Sequence, residues 1–193
     1  MEKINNEEKL KSYGLDKDSI SEFRKKIQTS SEEEQNKLGR QIYKLVGEYF
    51  VDQEELTNLI LQGANINITD KEKATSLHVC AAFWELNSAI LLLKAGIDFN
   101  KKDYEGNTAL HYCAGNDFLE LLEILLLVGA NINEKNIYGE TPLMIAEDKN
   151  SKTCYKKLIE IGAVDVLEVK EKESQNSDSI FEEAAKKMIK LKK

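Results

Sequence analysis

Proline, histidine and cysteine are scarce in this chain of 193 residues, which has one Pro, two His and three Cys. A β-sandwich would need more proline and glycine for its turns, so the composition favours a helix-rich protein. The cysteines, Cys80, Cys113 and Cys154, show no paired spacing and indicate reduced thiols in a reducing compartment. Apolar runs stay far below the roughly 20 residues that span a bilayer, and the first residues lack the apolar core of a secretory signal. These absences predict a cytoplasmic location.

Positive charge is also in deficit, and the deficit is concentrated in the middle of the chain. The net charge is −7, and residues 37–169 hold thirteen Lys or Arg against twenty Asp or Glu. A negative body repels phosphate, so we do not expect nucleic acid as a partner.

What the sequence does contain is a repeat. Glycines recur every 33 residues, at Gly63, Gly96, Gly129 and Gly162. Threonines recur with the same spacing at Thr75, Thr108 and Thr141. A fixed period of this length is typical of stacked helical units. It predicts four repeats, at residues 37–69, 70–102, 103–135 and 136–168.

The pattern within residues 103–135 predicts a pair of helices. Thr108 is suited to cap the start of a first, short helix. Asn116 and Asp117 supply a turn, since both tolerate left-handed backbone. Gly129 ends the second helix. The apolar faces of the two helices are Leu110, Cys113 and Ala114 in the first, and Phe118, Leu121, Leu122, Leu125 and Leu126 in the second. One such pair cannot bury both faces, so the units have to stack.

At these residues the chain resembles the ankyrin-repeat family, whose units read T-P-L-H-x-A-A and end in G-A-D/N-x-N. The matching starts are Thr75-Ser76-Leu77-His78, Thr108-Ala109-Leu110-His111 and Thr141-Pro142-Leu143-Met144. The matching ends begin at the four periodic glycines. The resemblance implies an all-α solenoid of helix pairs with β-hairpin loops, about four repeats long, and a non-catalytic role in binding other proteins.

The flanking segments predict helical caps at both ends. Residues 1–36 form an N-terminal extension, helical or flexible, in which Ile20, Phe23 and Ile27 make one apolar stripe. Residues 169–193 are a polar linker followed by a basic amphipathic helix from Ser179. The sequence leaves open whether this last helix covers the final repeat or binds something else, and whether residues 1–30 are ordered.

The histidines and cysteines could in principle bind a metal or take part in catalysis, but structural roles fit them better. Metal-binding groups occur in two pairs, His78 with Cys80 and His111 with Cys113. The two pairs lie one repeat apart, whereas all the ligands of a zinc ion have to lie within about 2.0–2.3 Å of it. In the family the histidine organises the hairpin and the helix start. No nucleotide-binding or nucleophile motif is present, and no histidine is left to serve as a base. We therefore expect no enzyme, no metal and no cofactor.

Surface recognition remains, and the resemblance implies where it occurs. In related solenoids partners bind the concave face, which is built from the hairpin tips and the exposed side of each first helix. The partner-binding residues that this implies are Lys71, Glu72, Phe83, Trp84, Tyr104, Glu105, Asn107, Asn116, Ile137, Tyr138, Glu140 and Lys149. Exposed aromatic residues are typical interface anchors, although each could instead pack on a neighbouring hairpin. Trp84 stands in a turn where the family favours glycine, which suggests a remodelled turn and a longer first helix.

The expected function is therefore to bind a partner protein with a basic or mixed surface, with the chain itself monomeric. Two alternatives stay open. One is a bacterial immunity factor or secreted effector with ankyrin repeats. The other is a membrane-surface adaptor that uses the basic segment 180–193, although we do not expect a membrane as the partner.

Overall fold

The structure is a computed structural model, and it describes residues 6–48 and 51–163. Its helices are α1 Asn6–Ser12, α2 Lys17–Lys25, α3 Glu32–Val46, α4 Gln53–Leu61, α5 Ser76–Phe83, α6 Leu86–Ala95, α7 Ala109–Gly115, α8 Leu119–Leu127, α9 Pro142–Asp148 and α10 Lys152–Ile161. The predicted linker and basic helix of residues 169–193 lie outside the described residues.

The helices from α3 onward form four antiparallel pairs stacked in two layers. The first helices of the pairs, α3, α5, α7 and α9, each pack on the next one along the chain. The second helices, α4, α6, α8 and α10, form a parallel row behind them. This arrangement confirms the all-α solenoid. The hairpin loops are tight turns: in the described ranges only one antiparallel bridge, Thr69 to Thr75, is present and no strand is formed.

Local sequence signals account for where the helices begin and end. The Asp52 carboxylate accepts hydrogen bonds from the backbone N–H groups of Glu54 and Glu55, at 2.9 and 3.1 Å, and so starts α4. Gly129 has a φ of +105°, in the left-handed region that glycine enters without strain. This confirms the predicted end of the second helix in the third repeat.

The core is a continuous band of leucine and isoleucine between the two layers. Leu121, Leu122 and Leu125 of α8 are completely buried, and Leu110 of α7 packs in the same core cluster. Cys80, Cys113 and Cys154 are free thiols buried in this band. Burial raises the pKa of the Cys154 thiol to about 12, so it stays protonated at neutral pH.

The turn between α5 and α6 does not follow the sequence expectation in full. Trp84 has a φ of +64°, close to the +56° of Asp117 and Asn150 at the same place in the next two repeats. The turn is therefore not remodelled, although α5 does extend to Phe83. A tryptophan in left-handed backbone costs about 1–2 kcal/mol relative to the normal conformation. Its ring stacks on the buried ring of Phe118, with centroids 5.2 Å apart, which helps to hold it.

Residues 6–25 fold back across the second-helix layer, and we name them the N-terminal strap. In this strap α2 packs on α6, and α1 packs on α8. Leu15, between α1 and α2, is only 4% exposed and belongs to the core cluster. This part of the N-terminal extension is thus helical and packed against the repeats in the structure.

Polar contacts also tie the N-terminal strap to the repeats. The Arg24 Nε donates to the backbone carbonyl of Lys94 at 3.1 Å. The Lys9 ammonium contacts the Glu123 carboxylate, and Lys157 of α10 reaches the same carboxylate at 2.6 Å. Although burial opposes the charged form of Glu123, the hydrogen bonds from the two lysines lower its pKa overall. One carboxylate therefore joins the strap to the third and fourth repeats.

Candidate protein-binding surface

Each hairpin is closed by one acidic or amide side chain at its first residue. The Asp103 Oδ1 accepts from the backbone N–H groups of Glu105 and Asn107, at 2.9 and 2.8 Å. Asp70 and Asn136 make the same pair of bonds in the second and fourth repeats. Because these turns satisfy their own backbone donors, the side chains at the tips are not needed for the fold.

The histidines link each hairpin to the next repeat. The backbone N–H of Thr108 donates to the Nδ1 of His111 at 3.1 Å. The Nε2 of His111 then lies 3.3 Å from the Glu140 carbonyl oxygen, and His78 repeats this pattern with Asn107. An Nδ1 that accepts a hydrogen bond leaves the proton on Nε2. Burial lowers the pKa of both histidines and keeps them neutral.

Direct bonds between neighbouring hairpins make them a rigid row. The Tyr104 N–H donates to the Glu72 carbonyl at 2.9 Å, and the Ile137 N–H donates to the Glu105 carbonyl at 2.8 Å. The Asn136 Nδ2 donates to the Asn107 Oδ1 at 3.0 Å. Asn107 is buried and held in this network, so its side chain serves the fold.

The tips of this row expose large apolar side chains. Tyr104 is 59% exposed, and Ile137 and Tyr138 are each 66% exposed. The Lys73 ammonium lies 4.7 Å from the centre of the Tyr104 ring, a cation–π contact that leaves most of the ring in solvent. The tips therefore combine apolar area with a backbone that does not move freely, which suits an interface anchor.

Below these tips, an open cavity of about 360 Å³ lies between the third and fourth repeats. The predicted residues that line it are Glu105, Asn107, Asn116, Tyr138, Glu140 and Lys149. Further lining residues are His111, Tyr112, Gly115, Asn136, Ile145 and Asp148. Three carboxylates against one lysine make the cavity acidic, and the Asp148 carboxylate is 3.4 Å from the Lys149 ammonium. The cavity is suited to a cationic side chain with an apolar stem.

The other predicted residues lie outside this cavity. Lys71 and Glu72 are exposed at the hairpin tip of the second repeat. Phe83 is 64% exposed and occupies the position in its repeat that Asn116 and Lys149 occupy in theirs. It therefore extends the same face toward the second repeat. Trp84 lies in the adjacent turn and packs on Phe118, so it is partly a structural residue.

Tyr112 and Ile145 were missed by the sequence analysis, although the repeat carries a signal for them. Tyr112 directly follows His111, and Ile145 directly follows Met144. Val79 occupies the same position after His78 in the second repeat. The Tyr112 hydroxyl donates to the Asp103 Oδ2 at 2.9 Å, and burial together with this carboxylate raises the pKa of Tyr112. The ring thus forms a fixed wall of the cavity.

No group of three or more His, Cys, Asp or Glu side chains within residues 6–48 and 51–163 is placed to hold a metal ion. Both nitrogens of each histidine contact backbone groups of the fold. None of the described helices is long and apolar enough to cross a membrane. What the geometry does offer is a rigid, aromatic and acidic face.

The fold is a repeat solenoid of the protein-interaction class. Its helix pairs are stacked, its hairpins are bonded in a row, and a face beside the first helices is exposed. Residues 49–136 and 91–171 match the family model for ankyrin repeats, which counts three copies. The chain belongs to the ankyrin-repeat family. Proteins of this family are typically non-catalytic interaction modules. The curated proteins include no match to this chain.

Proposed function

We propose that this chain binds a partner protein on its concave face, centred on the cavity between the third and fourth repeats. The observation that carries the proposal is the combination of exposed Tyr104, Ile137 and Tyr138 with an acidic cavity beneath them. Interface anchors are enriched in tyrosine, and their truncation typically costs about 2 kcal/mol or more. The partner presents a lysine or arginine to the cavity and apolar side chains to the tips.

The charge of the cavity supports a basic partner. Glu105 and Glu140 are held in place by the amide groups of Asn107 and Asn136, at 3.2 and 2.8 Å, so both carboxylates are pre-oriented. A cation that enters meets fixed charge without having to order it. The three free cysteines fit a reducing compartment, and we propose the cytoplasm as the place of binding.

The experiment first identifies the partner by affinity capture and mass spectrometry, and then measures binding with the purified partner. Replacing Tyr104 and Tyr138 together by alanine should weaken binding about a hundredfold or more, since each anchor contributes about 2 kcal/mol. Circular dichroism and the melting temperature should change little, because both side chains are exposed. Affinity should also fall as salt is added.

The matched control replaces Ile159 and Ile161 by alanine. These isoleucines are 49% and 50% exposed on α10, and neither lines the cavity. The control should bind the partner normally. If the tyrosine variant binds as tightly as the control, or if salt has no effect, the partner does not use the cavity between the third and fourth repeats.

A further inference from the structure

The fourth repeat presents a more polar end than the internal repeats, although Ile159 and Ile161 of α10 are 49% and 50% exposed, so segment 180–193 has less apolar area to cover there. Ala81 and Ala114 are buried in the second and third repeats, and the equivalent residue of the fourth is the exposed Glu147. Leu122 is completely buried, whereas its equivalent Tyr155 is half-buried. These replacements suit a face that stays in water, which is what terminal repeats require.

Segment 180–193 combines positive charge with apolar side chains, which complements the acidic cavity and apolar tips of the concave face. It contains five lysines against two glutamates, together with the apolar residues Ile180, Phe181, Met188, Ile189 and Leu191. The cavity between the third and fourth repeats holds Glu105, Glu140 and Asp148, under the apolar tips. Opposite charges on one chain attract each other, and the segment's apolar residues match the exposed tyrosines.

The chain is long enough to bring the two together. Sixteen residues separate Ala163, the last described residue, from Ile180. An extended chain of that length spans up to about 55 Å, more than a small domain is wide. For a linker of this length the effective concentration of one end at the other is on the order of 1 mM, so a weak contact is populated.

We infer that segment 180–193 of this chain binds its own concave face, with lysine side chains in the acidic cavity and apolar residues on the tips. Where the partner uses that face, as proposed above, the segment competes with it. The segment is then an internal ligand that sets a threshold for partner binding.

Zero-length carbodiimide cross-linking of the full chain tests the contact without any partner. Lysines 186, 187 and 190 should become linked to Glu105, Glu140 or Asp148 at low salt, and these links should disappear at high salt. The variant Lys186→Glu/Lys187→Glu/Lys190→Glu should lose them. A control with the same change in net charge, Lys25→Glu/Lys26→Glu/Lys156→Glu, should retain the links at 186, 187 and 190.

Mixed samples of ¹⁵N-labelled and unlabelled chain separate contacts within one chain from contacts between two. Links within one chain support the inference, whereas links only between two chains overturn it. Links to Glu147 or Glu160 in place of the cavity would make the segment a cover for the last repeat and also overturn it. So would the absence of cavity links together with sedimentation of the chain on vesicles of anionic lipid.

Partner affinity provides a separate measurement that depends on the proposed function. The three-glutamate tail variant should bind the partner about tenfold more tightly than the wild type, because an internal competitor has been removed. If cavity links form but partner affinity is unchanged, self-binding stands and the proposal of a concave-face partner fails. If the cavity links are absent while the tyrosine variant still binds the partner more weakly than the wild type, the proposed function stands and self-binding fails.

Discussion

The second and third repeats differ from the fourth at the positions where one repeat covers the next. Ala81 and Ala114 give way to Glu147, and Leu122 gives way to Tyr155. His78 and His111, which link a hairpin to the following one, give way to Met144. An internal repeat is therefore built for two neighbours, and the fourth repeat is built for one. The difference shows that burial by a neighbour, more than helix formation itself, decides which residues each position needs.

The largest effect should come from removing a leucine that two repeats share. Leu122→Ala should lower the free energy of unfolding by about 2–5 kcal/mol, because the side chain is completely buried. The equivalent change in the fourth repeat, Tyr155→Ala, should cost clearly less, since Tyr155 is half-buried. Chemical denaturation of both variants measures the difference. Equal losses would show that the two positions are not equivalent in the way the repeat register requires.

A smaller effect should appear as a dependence on pH in the internal repeats. Burial lowers the pKa of His78 and His111, so the unfolded chain binds protons more readily than the folded one. Their contribution to stability is complete above the ordinary histidine pKa of about 6.5 and is lost as the pH falls through the lowered values. Protonation would also turn Nδ1 into a donor that faces the Thr108 or Thr75 N–H.

The measurement is the free energy of unfolding between pH 7 and pH 5, above the range in which most carboxylates titrate. His111→Met copies the fourth repeat and should reduce the slope by about half, while lowering stability at pH 7. The wild type and the variant share the nearby charges. These are Glu134 and Lys102 around His111, and Asp70 and Asp103 around His78. An unchanged slope would show that the histidines do not govern the acid response.

The smallest effect should be a gain in stability. The Ser76 hydroxyl is completely buried and has no hydrogen-bond partner among the described residues. Pro142 occupies the equivalent first position of α9, and Thr75 before Ser76 has the extended backbone that proline requires. Ser76→Pro should therefore raise the free energy of unfolding by about 0.4–1 kcal/mol.

Ser76→Ala is the control that removes the hydroxyl without restricting the backbone. It should raise the melting temperature by less than proline does. A loss of stability in both variants would mean that the hydroxyl has a role that the structure does not reveal.

The repeat itself could be predicted from the sequence because its signals are local. Gly129 and Thr108 each act on backbone groups a few residues away, so the helix boundaries that they set followed from the pattern. The position of the N-terminal strap could not be predicted in this way. The stripe of Ile20, Phe23 and Ile27 indicated a helix, but the surface that receives that helix is formed by α6, far along the chain.

One part of the candidate site could likewise be predicted from the sequence, and another part could not. The exposed Tyr104, Ile137 and Tyr138 followed from the repeat register, because tip positions recur with the period. Tyr112 and Ile145 recur at one position of the first helix, but the cavity that they line depends on the spacing of two neighbouring first helices, which a single unit does not specify. Trp84 shows a third case, in which a stacked partner from the next repeat, Phe118, helps to hold a backbone conformation that the residue type disfavours.

The N-terminal strap also sets an order of events during synthesis. Its bonds join residues far apart in sequence, 70 positions for Arg24 to Lys94 and 114 for Lys9 to Glu123. During translation residues 6–25 leave the ribosome before α8, so the surface that receives α1 is complete only after α8 has emerged. Translation proceeds at roughly 5–20 residues per second, so the strap waits several seconds for its site. During that time Leu15 and Phe23 lack the cover that they have in the folded chain.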